Sequence, residues 1–243
     1  MFAPPTVDSI HSVLTSEPLL MMGAVPVPIP HSVAQANSIV INHLGDTMAK
    51  VIHQMKDMAR YVFQTESRWI LGVAGPGSAA MEMSVCNLVF PGTRVLSVCN
   101  GYFGRRFAEM ATRVGGEVEY VNVPDGEAAQ VAVLREQLEC FRPEVLTITQ
   151  GETSSTVFNR YLPDITRMAS EYGRYAIVDA VCTLSTMPCE MDKWKIDAVV
   201  TGGQKGLSSI PGVSLIAFSE RARERICARL GEAAALVPGR QAG

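Results

Sequence analysis

The order of apolar stretches after Trp69 constrains the fold more than any other feature of this sequence. Short apolar runs alternate there with longer amphipathic stretches, a pattern typical of βαβ units with parallel strands. The last apolar run, 213–218, follows the preceding one after a loop too short for a full helix and is therefore predicted to be antiparallel. The sequence thus predicts an α/β domain with a mostly parallel seven-stranded sheet and helices on both faces. The predicted strands are 69–73, 94–99, 117–123, 144–149, 175–179, 196–201 and 213–218, and the predicted helices are 78–90, 103–114, 127–141, 163–172 and 219–230.

The N-terminal part of the chain has a different character. Residues 1–30 contain six prolines, which disfavour a continuous helix and predict an extended arm. Residues 31–63 carry apolar positions at helical spacing, whereas 231–243 is an Ala/Gly-rich stretch that predicts an irregular tail. We therefore expect an arm over 1–30, one domain over 31–230 and a tail over 231–243. Because the arm is apolar and lacks basic residues, an isolated monomer would expose a large patch, which predicts a homodimer or aggregation.

Composition and charge exclude several classes of protein. The net charge of −3 does not favour nucleic acid binding, and no apolar run reaches the ~20 residues of a membrane span. The first 49 residues hold no Lys or Arg, so no targeting segment is predicted. Six scattered cysteines without a C-x-x-C pair favour a reduced, cytoplasmic setting. All four histidines lie in the first 53 residues, which disfavours hydrolase triads and zinc sites, and no metal site is predicted.

Two ionisable residues stand where strands are predicted to end. Lys205 follows an apolar strand and is surrounded by small residues, and a lysine amine so placed can attack carbonyl compounds. Asp179 closes a strand that reads as buried, at the sheet edge where open α/β sheets bind ligands. A carboxylate there suits the protonated ring nitrogen of pyridoxal phosphate. If each residue is considered alone, there is a simpler alternative: Lys205 is a solvated lysine in a loop, and Asp179 caps the turn that follows its strand.

A glycine-rich turn, Gly75-Pro76-Gly77-Ser78, joins the first strand to a helix. Backbone N–H groups at a helix N-terminus can bind a phosphate. The turn matches neither the P-loop nor the dinucleotide fingerprint, and many strand-to-helix turns contain glycine. The interpretation as a phosphate site is strengthened by the order of features along the chain, in which the turn is followed by an aromatic residue, the aspartate and the lysine.

This ordered set resembles the class-V pyridoxal-phosphate aminotransferases, in particular the alanine-glyoxylate, serine-pyruvate and serine-glyoxylate enzymes. The resemblance covers about residues 23–229 and implies the large domain of a fold-type-I pyridoxal-phosphate-dependent transferase. The motifs that carry it are Gly75-Pro76-Gly77-Ser78 with Glu82, Asn100-Gly101-Tyr102-Phe103-Gly104-Arg105-Arg106, Gly151-Glu152-Thr153-Ser154-Ser155-Thr156, Val178-Asp179-Ala180-Val181, and Gly203-Gln204-Lys205-Gly206 with Pro211-Gly212.

The resemblance also implies roles for individual residues. Lys205 would form the Schiff base and move the substrate proton, and Asp179 would pair with the pyridine nitrogen. Phe103 and Val181 would pack on opposite faces of the ring, with the hydroxyl of Thr153 nearby. The phosphate would be held by Gly77, Ser78 and Gln204. The implied cofactor residues are Gly77, Ser78, Phe103, Thr153, Asp179, Val181, Gln204 and Lys205, of which Lys205 and Asp179 are catalytic.

The sequence departs from the family pattern at three points. Pro76 stands where relatives have a small hydroxyl residue, and proline offers the phosphate neither a hydroxyl nor an N–H. Phe103 replaces the more usual tryptophan and offers a smaller stacking surface. Relatives continue into a small C-terminal domain that carries the arginine for the substrate carboxylate, and this domain is expected to be absent from a chain ending at Gly243. The arginines at 221, 223, 225 and 229 are predicted to face solvent rather than clamp a substrate.

The functional hypothesis is transfer of an amino group between a small amino acid, alanine or serine, and a 2-oxo acid, glyoxylate or pyruvate. Without the carboxylate-binding arginine, little activity is expected from the 243-residue chain. One alternative is a non-catalytic relative that binds the cofactor weakly or acts only in assembly. Another is a desulfurase or lyase using the same cofactor, which the sequence does not support, because the reactive cysteine of that group lies in the C-terminal region that this chain is expected to lack.

Overall fold

The computed structural model describes residues 26–229 together with the single positions Ser9 and Met21. Most of the predicted arm and the whole predicted tail lie outside the described residues. The helices are α1 (His31–Asn37), α2 (Asp46–Phe63), α3 (Gly77–Leu88), α4 (Tyr102–Arg113), α5 (Val131–Phe141), α6 (Leu162–Glu171) and α7 (Glu220–Ala228). The strands are β1 (Trp69–Ala74), β2 (Arg94–Cys99), β3 (Glu117–Asn122), β4 (Val145–Thr149), β5 (Gly151–Glu152), β6 (Val157–Phe158), β7 (Tyr175–Asp179), β8 (Ala198–Gly202) and β9 (Val213–Phe218).

The seven longer strands form one sheet in the order β1-β9-β8-β7-β4-β2-β3, and β5 and β6 form a separate small hairpin. Strand β9 runs antiparallel to both of its neighbours, whereas the other adjacent pairs in the large sheet are parallel. The predicted fold class is confirmed. The strand order places β7 and β8 side by side near the middle of the sheet, so their carboxyl ends open at the same edge.

Two layers of helices cover the sheet, because successive strand residues point to opposite faces. One apolar core packs α2, α5 and α6 against the first face through residues such as Phe63, Leu134 and Ile165. The other packs α3, α4 and α7 against the second face through residues such as Met81 and Phe107. Helix α3 therefore lies against β8 and β9 with its N-terminus at the edge where β7 and β8 end.

Two predicted helices have different limits in the structure. The helical stretch over 31–63 is divided between α1 and α2 at residues 38–45, where Gly45 has a φ of 108° that favours glycine. The helix predicted from residue 127 begins only at Val131. The N–H of Ala129 donates instead to Asn159 Oδ1 at 3.0 Å, so this buried contact holds the residues before the helix.

The prediction that the arginines of α7 face solvent is wrong. Arg221 donates to the buried carboxylate of Asp197, and Arg225 and Arg229 donate to backbone carbonyls of the α3 region. Their stems and planar heads cover aromatic side chains, which is the favourable packing of a cation on a ring. The ring centroid distances are 4.5 Å for Arg221 over Tyr175, 4.7 Å for Arg223 over Trp69, 4.9 Å for Arg225 over Tyr175 and 3.9 Å for Arg229 over Phe90.

Among the described helices, none combines the length and the apolar character needed to cross a membrane.

Candidate active site

A cleft opens at the edge of the sheet where β7 and β8 end and α3 begins. All eight residues that the resemblance implies for the cofactor line this cleft. They come from five separate stretches of the chain: Gly77 and Ser78; Phe103; Thr153; Asp179 and Val181; and Gln204 and Lys205. The structure brings the predicted residues together, and their roles toward a cofactor remain predictions.

Asp179 is the buried acid of the cleft. It is the last residue of β7, its side chain is 4% exposed, and its Oδ1 accepts the N–H of Val181 at 2.8 Å. Burial raises the pKa of Asp179 to about 7, and the nearby charge of Glu152 acts in the same direction, while the Val181 N–H and Lys205 act against it. A cationic ligand group beside this carboxylate would stabilise its ionised form.

Lys205 lies in a loop between β8 and β9 that several neighbours hold in place. The carbonyl of Lys205 accepts the N–H of Ser208 at 2.8 Å, and the carbonyl of Gln204 accepts the N–H of Val27 at 2.9 Å. Ser185 Oγ donates to the carbonyl of Gly206 at 2.5 Å. The lysine is half-buried, and these backbone contacts fix the part of the chain that carries its amine.

The start of α3 supplies the predicted phosphate site. Pro76 precedes the helix, and the N–H of Ala79 is already bonded to the carbonyl of Pro76 at 2.8 Å. In the part of the chain that the structure describes, the N–H groups of Gly77 and Ser78 donate to no protein acceptor, which leaves them for an anion at the positive end of the helix. A Cβ at position 77 would lie 2.7 Å from Val181 Cγ2, so a larger side chain would fill this part of the cleft.

The lining fits pyridoxal phosphate in its chemistry. Phe103 and Val181 offer apolar surfaces for a flat ring, Asp179 offers a carboxylate for a ring N–H, and Lys205 offers an amine. The helix start offers N–H donors for a phosphate. The ring nitrogen, the aldehyde and the phosphate of the cofactor therefore each have a group of complementary chemistry in one cleft.

Sequence reasoning missed three lining residues. Met81 lies one helical turn after Gly77, Gly151 opens the β5–β6 hairpin, and Cys182 follows Val181. The helical spacing from Gly77 could have indicated Met81, whereas the position of Gly151 depends on the hairpin. The thiol of Cys182 donates to the carbonyl of Gly151, and burial raises the pKa of this thiol to about 11, so it is not a thiolate.

Among the described residues that line the cleft, none is an arginine. Arg105 donates to Asn122 and Arg106 donates to the hydroxyl of Tyr102, both away from the lining. Helix α7 follows the end of β9 that pairs with the start of β8, so its arginines lie at the opposite end of the sheet.

Comparison with known proteins identifies the family of this chain. The model of the family described as aminotransferase class-V matches residues 29–236. The alanine-glyoxylate aminotransferase of Drosophila melanogaster is 33% identical over 207 residues, covering 85% of this chain and 52% of that protein. The enzyme of the same name from Oryctolagus cuniculus is 33% identical over 230 residues, covering 94% of this chain and 58% of that protein. The chain thus spans little more than half the length of these relatives.

Solved structures extend the comparison. The crystal structure of alanine-glyoxylate aminotransferase from Nostoc sp. superposes with a TM-score of 0.82 at 33% identity, covering 91% of this chain and 60% of that one. That of ureidoglycine-glyoxylate aminotransferase from Bacillus subtilis has a TM-score of 0.84 at 27% identity, covering 89% of this chain and 57% of that one. From the family match, the identities and the shared fold, we conclude that this chain belongs to the class-V aminotransferase family, whose members depend on pyridoxal phosphate.

Proposed function

We propose that this chain carries the cofactor site of an aminotransferase that moves an amino group between a small amino acid, alanine or serine, and a 2-oxo acid, glyoxylate or pyruvate. The observation that carries the proposal is the convergence of Lys205, Asp179 and the α3 N-terminus on one cleft. Support for the glyoxylate class comes from the names of the relatives, alanine-glyoxylate and ureidoglycine-glyoxylate aminotransferase.

Each residue of the cleft has a distinct task in this proposal. When bound, pyridoxal phosphate supplies an aldehyde that reacts with amines and a protonated ring that withdraws electrons. The Asp179 carboxylate holds the proton on the ring nitrogen, and the Lys205 amine moves the proton at the substrate α-carbon. Phe103 and Val181 would hold the ring between them and exclude water from its faces. The N–H groups of Gly77 and Ser78 bind the phosphate and so fix the ring relative to Lys205.

We further propose that the 243-residue chain by itself transfers amino groups slowly. The lining lacks an arginine for the substrate carboxylate among the described residues. A charged bidentate contact of this kind contributes ~1.5–3 kcal/mol, and poor orientation of the α-hydrogen can cost about another hundredfold in rate.

The test is covalent trapping followed by an amino-transfer assay. Purified protein given pyridoxal phosphate should develop a visible absorption band, and borohydride should fix the cofactor to Lys205, as mapped by peptide mass spectrometry. Lys205→Ala should abolish both signals, whereas Lys195→Ala, which replaces an exposed lysine outside the cleft, should leave them intact. Label on another lysine, or no label, would refute the site.

The amino-transfer assay separates an enzyme from a binder. Trapped cofactor together with slow conversion of alanine or serine and glyoxylate supports the proposed function. A trapped cofactor with no conversion after many hours would favour the non-catalytic relative. Fast turnover would show that a cation from outside the described lining, or from a second subunit, binds the carboxylate.

We also propose a homodimer in a reducing compartment such as the cytoplasm. The six cysteines are all unpaired, which is usual where thiols stay reduced. A homodimer is supported by the stretch between α1 and α2, where Ile39, Val40 and Leu44 are 69%, 96% and 70% exposed. Apolar side chains grouped in this way usually mark a contact surface.

A further inference from the structure

Glu152 is a buried carboxylate next to the cleft that the proposed mechanism does not use. It is 1% exposed and lies in β5 between Gly151 and Thr153, which both line the cleft, whereas Glu152 itself does not. Buried carboxylates are costly unless their oxygens are hydrogen-bonded. Its oxygens are indeed saturated, and all of their partners belong to two short stretches of chain.

The first stretch is the beginning of α4. Glu152 Oε2 accepts the N–H groups of Phe103 and Gly104, each at 3.0 Å. Ser154 Oγ accepts the N–H of Tyr102 at 2.7 Å, so the first three N–H groups of α4 are all bonded by this pair of side chains. An anion at a helix N-terminus is favoured by the helix dipole and by charge-assisted hydrogen bonds.

The second stretch is the turn of the β5–β6 hairpin. Glu152 Oε1 accepts the backbone N–H of Ser154 at 3.2 Å and its hydroxyl at 2.6 Å, which closes the chain around Thr153. The contact leaves no room for a side chain at Gly101, because a Cβ there would overlap Glu152 Cγ and lie 2.5 Å from Ser154 Oγ. One carboxylate therefore connects the start of α4, which carries Phe103, to the turn that carries Thr153.

Glu152 also acts on the cleft through its charge. The charged or titratable groups around Asp179 are Glu152 on β5, Lys205 in the β8–β9 loop and Cys182 after β7. Of these, Glu152 raises the pKa of Asp179 and Lys205 lowers it. The thiol of Cys182 stays protonated and adds no charge.

We propose that Glu152 is a positioning residue for the cofactor: it caps α4 so that the Phe103 ring stays against the cofactor, and it holds Thr153 at the rim, without touching the cofactor itself. This inference rests on the proposed function, because it assigns a task toward the same cofactor. A cap that served the helix alone would affect folding and leave the bound cofactor unchanged.

The test compares Glu152→Gln with Glu109→Gln, an exposed residue on the same helix that pairs with Arg113. The amide oxygen can still accept hydrogen bonds from the two α4 N–H groups. Its NH₂ group then faces the N–H of Ser154, so two donors meet and the hydrogen bond to Ser154 N–H is lost. Pyridoxal phosphate is titrated into each apoprotein and followed by visible circular dichroism, which reports how asymmetrically the ring is held. Thermal unfolding of each apoprotein is measured alongside.

We expect Glu152→Gln to bind the cofactor about tenfold more weakly, as for the loss of about 1.4 kcal/mol, with a smaller dichroic signal per bound cofactor. Removing the Glu152 charge lowers the pKa of Asp179, so the acidic pH at which binding fails should move lower. Glu109→Gln should match the wild type in all three respects. A lowered melting temperature with unchanged affinity, dichroism and pH dependence would overturn the proposal.

Ser154→Ala keeps the proposal testable if Glu152→Gln does not fold. It removes the hydroxyl that joins Tyr102 N–H to Glu152, and about a threefold loss of affinity with the same fall in dichroism is expected. Affinity and dichroism equal to the wild type would count against the proposal. Failure of the wild-type protein to bind the cofactor at all would instead refute the proposed function, and this inference with it.

Discussion

At the scale of single residues, the cleft contains a group whose contributions to stability and to function oppose each other. Burial raises the pKa of Asp179 from 3.8 to about 7. Because the folded protein binds this proton more tightly than the unfolded chain, Asp179 lowers stability progressively as the pH rises from about 4 to about 7, and the full cost persists above that. The ionised form that destabilises the apoprotein is the form that pairs with the cofactor ring.

Asp179→Asn should therefore stabilise the apoprotein and weaken cofactor binding. The melting temperature of the apoprotein should rise by several degrees at pH 8 and by clearly less at pH 5, since the carboxyl is then largely protonated in the folded wild type. Cofactor affinity should fall about 10–100-fold, as for the loss of a charged hydrogen bond of ~1.5–3 kcal/mol. Asp125→Asn, in an exposed loop, is the control and should change neither quantity. A melting temperature gain that does not depend on pH would refute the linkage.

Gly206, which follows Lys205, packs closely against the backbone of Leu184. A Cβ at this position would overlap the carbonyl oxygen of Leu184, which belongs to the main chain and cannot rotate away. Gly206→Ala should therefore displace the Lys205 loop at a cost of ~1–3 kcal/mol, and borohydride trapping should slow about tenfold or more. Gly72→Ala serves as the control, because no atom lies within 4 Å of its added Cβ. Equal trapping rates in the two variants would show that the loop tolerates the methyl group.

At the scale of elements, the described end of the arm contacts the loop that carries the lysine. Val27 and Ile29 each precede a proline, which restricts them to extended backbone, and the N–H of Val27 donates to the carbonyl of Gln204. Val27→Pro removes this donor, whereas Val27→Ala keeps it and removes only the side-chain methyl groups. We expect cofactor to dissociate about two- to tenfold faster from Val27→Pro than from Val27→Ala, matching a net hydrogen bond of ~0.5–1.5 kcal/mol. Identical dissociation rates would mean that the arm does not stabilise the loop.

Contacts between elements also decide which parts of the fold could be predicted from the sequence. Buried parallel strands leave continuous apolar runs, so β2 and β7 were predicted with their observed limits. The late start of α5 could not be predicted, because Glu127 and its neighbours favour a helix while a contact with Asn159 prevents one. The packing of α7 was missed for a similar reason: Trp69, which Arg223 covers, lies far away in the sequence.

In the candidate site, too, some residues could be predicted from local sequence patterns and others could not. Lys205 and Asp179 could be predicted because strand ends carry ligands in this kind of sheet. The task of Glu152 could not, since its acceptor oxygens meet Phe103 and Gly104 about fifty positions earlier in the chain. Local sequence patterns identify groups that act chemically, whereas groups that hold them depend on which loops the sheet brings together.

At the scale of the whole molecule, α1 contributes no buried side chain to either apolar core. None of its seven residues is buried, and helices this short are unstable in water unless they pack against something. The exposed large apolar side chains that follow α1 in the sequence, which we call the 39–52 patch, are Ile39, Val40, Ile41, Leu44, Val51 and Ile52. A second copy of the chain would cover both α1 and the patch, which is why we place the proposed dimer contact here.

The double variant Val40→Asp/Leu44→Asp should convert the dimer to a monomer. Each aspartate would have to be buried without a partner in the contact, and an uncompensated polar or charged group costs enough to weaken the dimer by at least a hundredfold. Sedimentation velocity at micromolar concentration should give a dimer for the wild type and a monomer for the double variant. Val133→Asp, which places the same charge on α5 at a position that is 47% exposed, should stay dimeric. A wild-type monomer would remove the dimer proposal, and a dimeric double variant would move the contact to another surface.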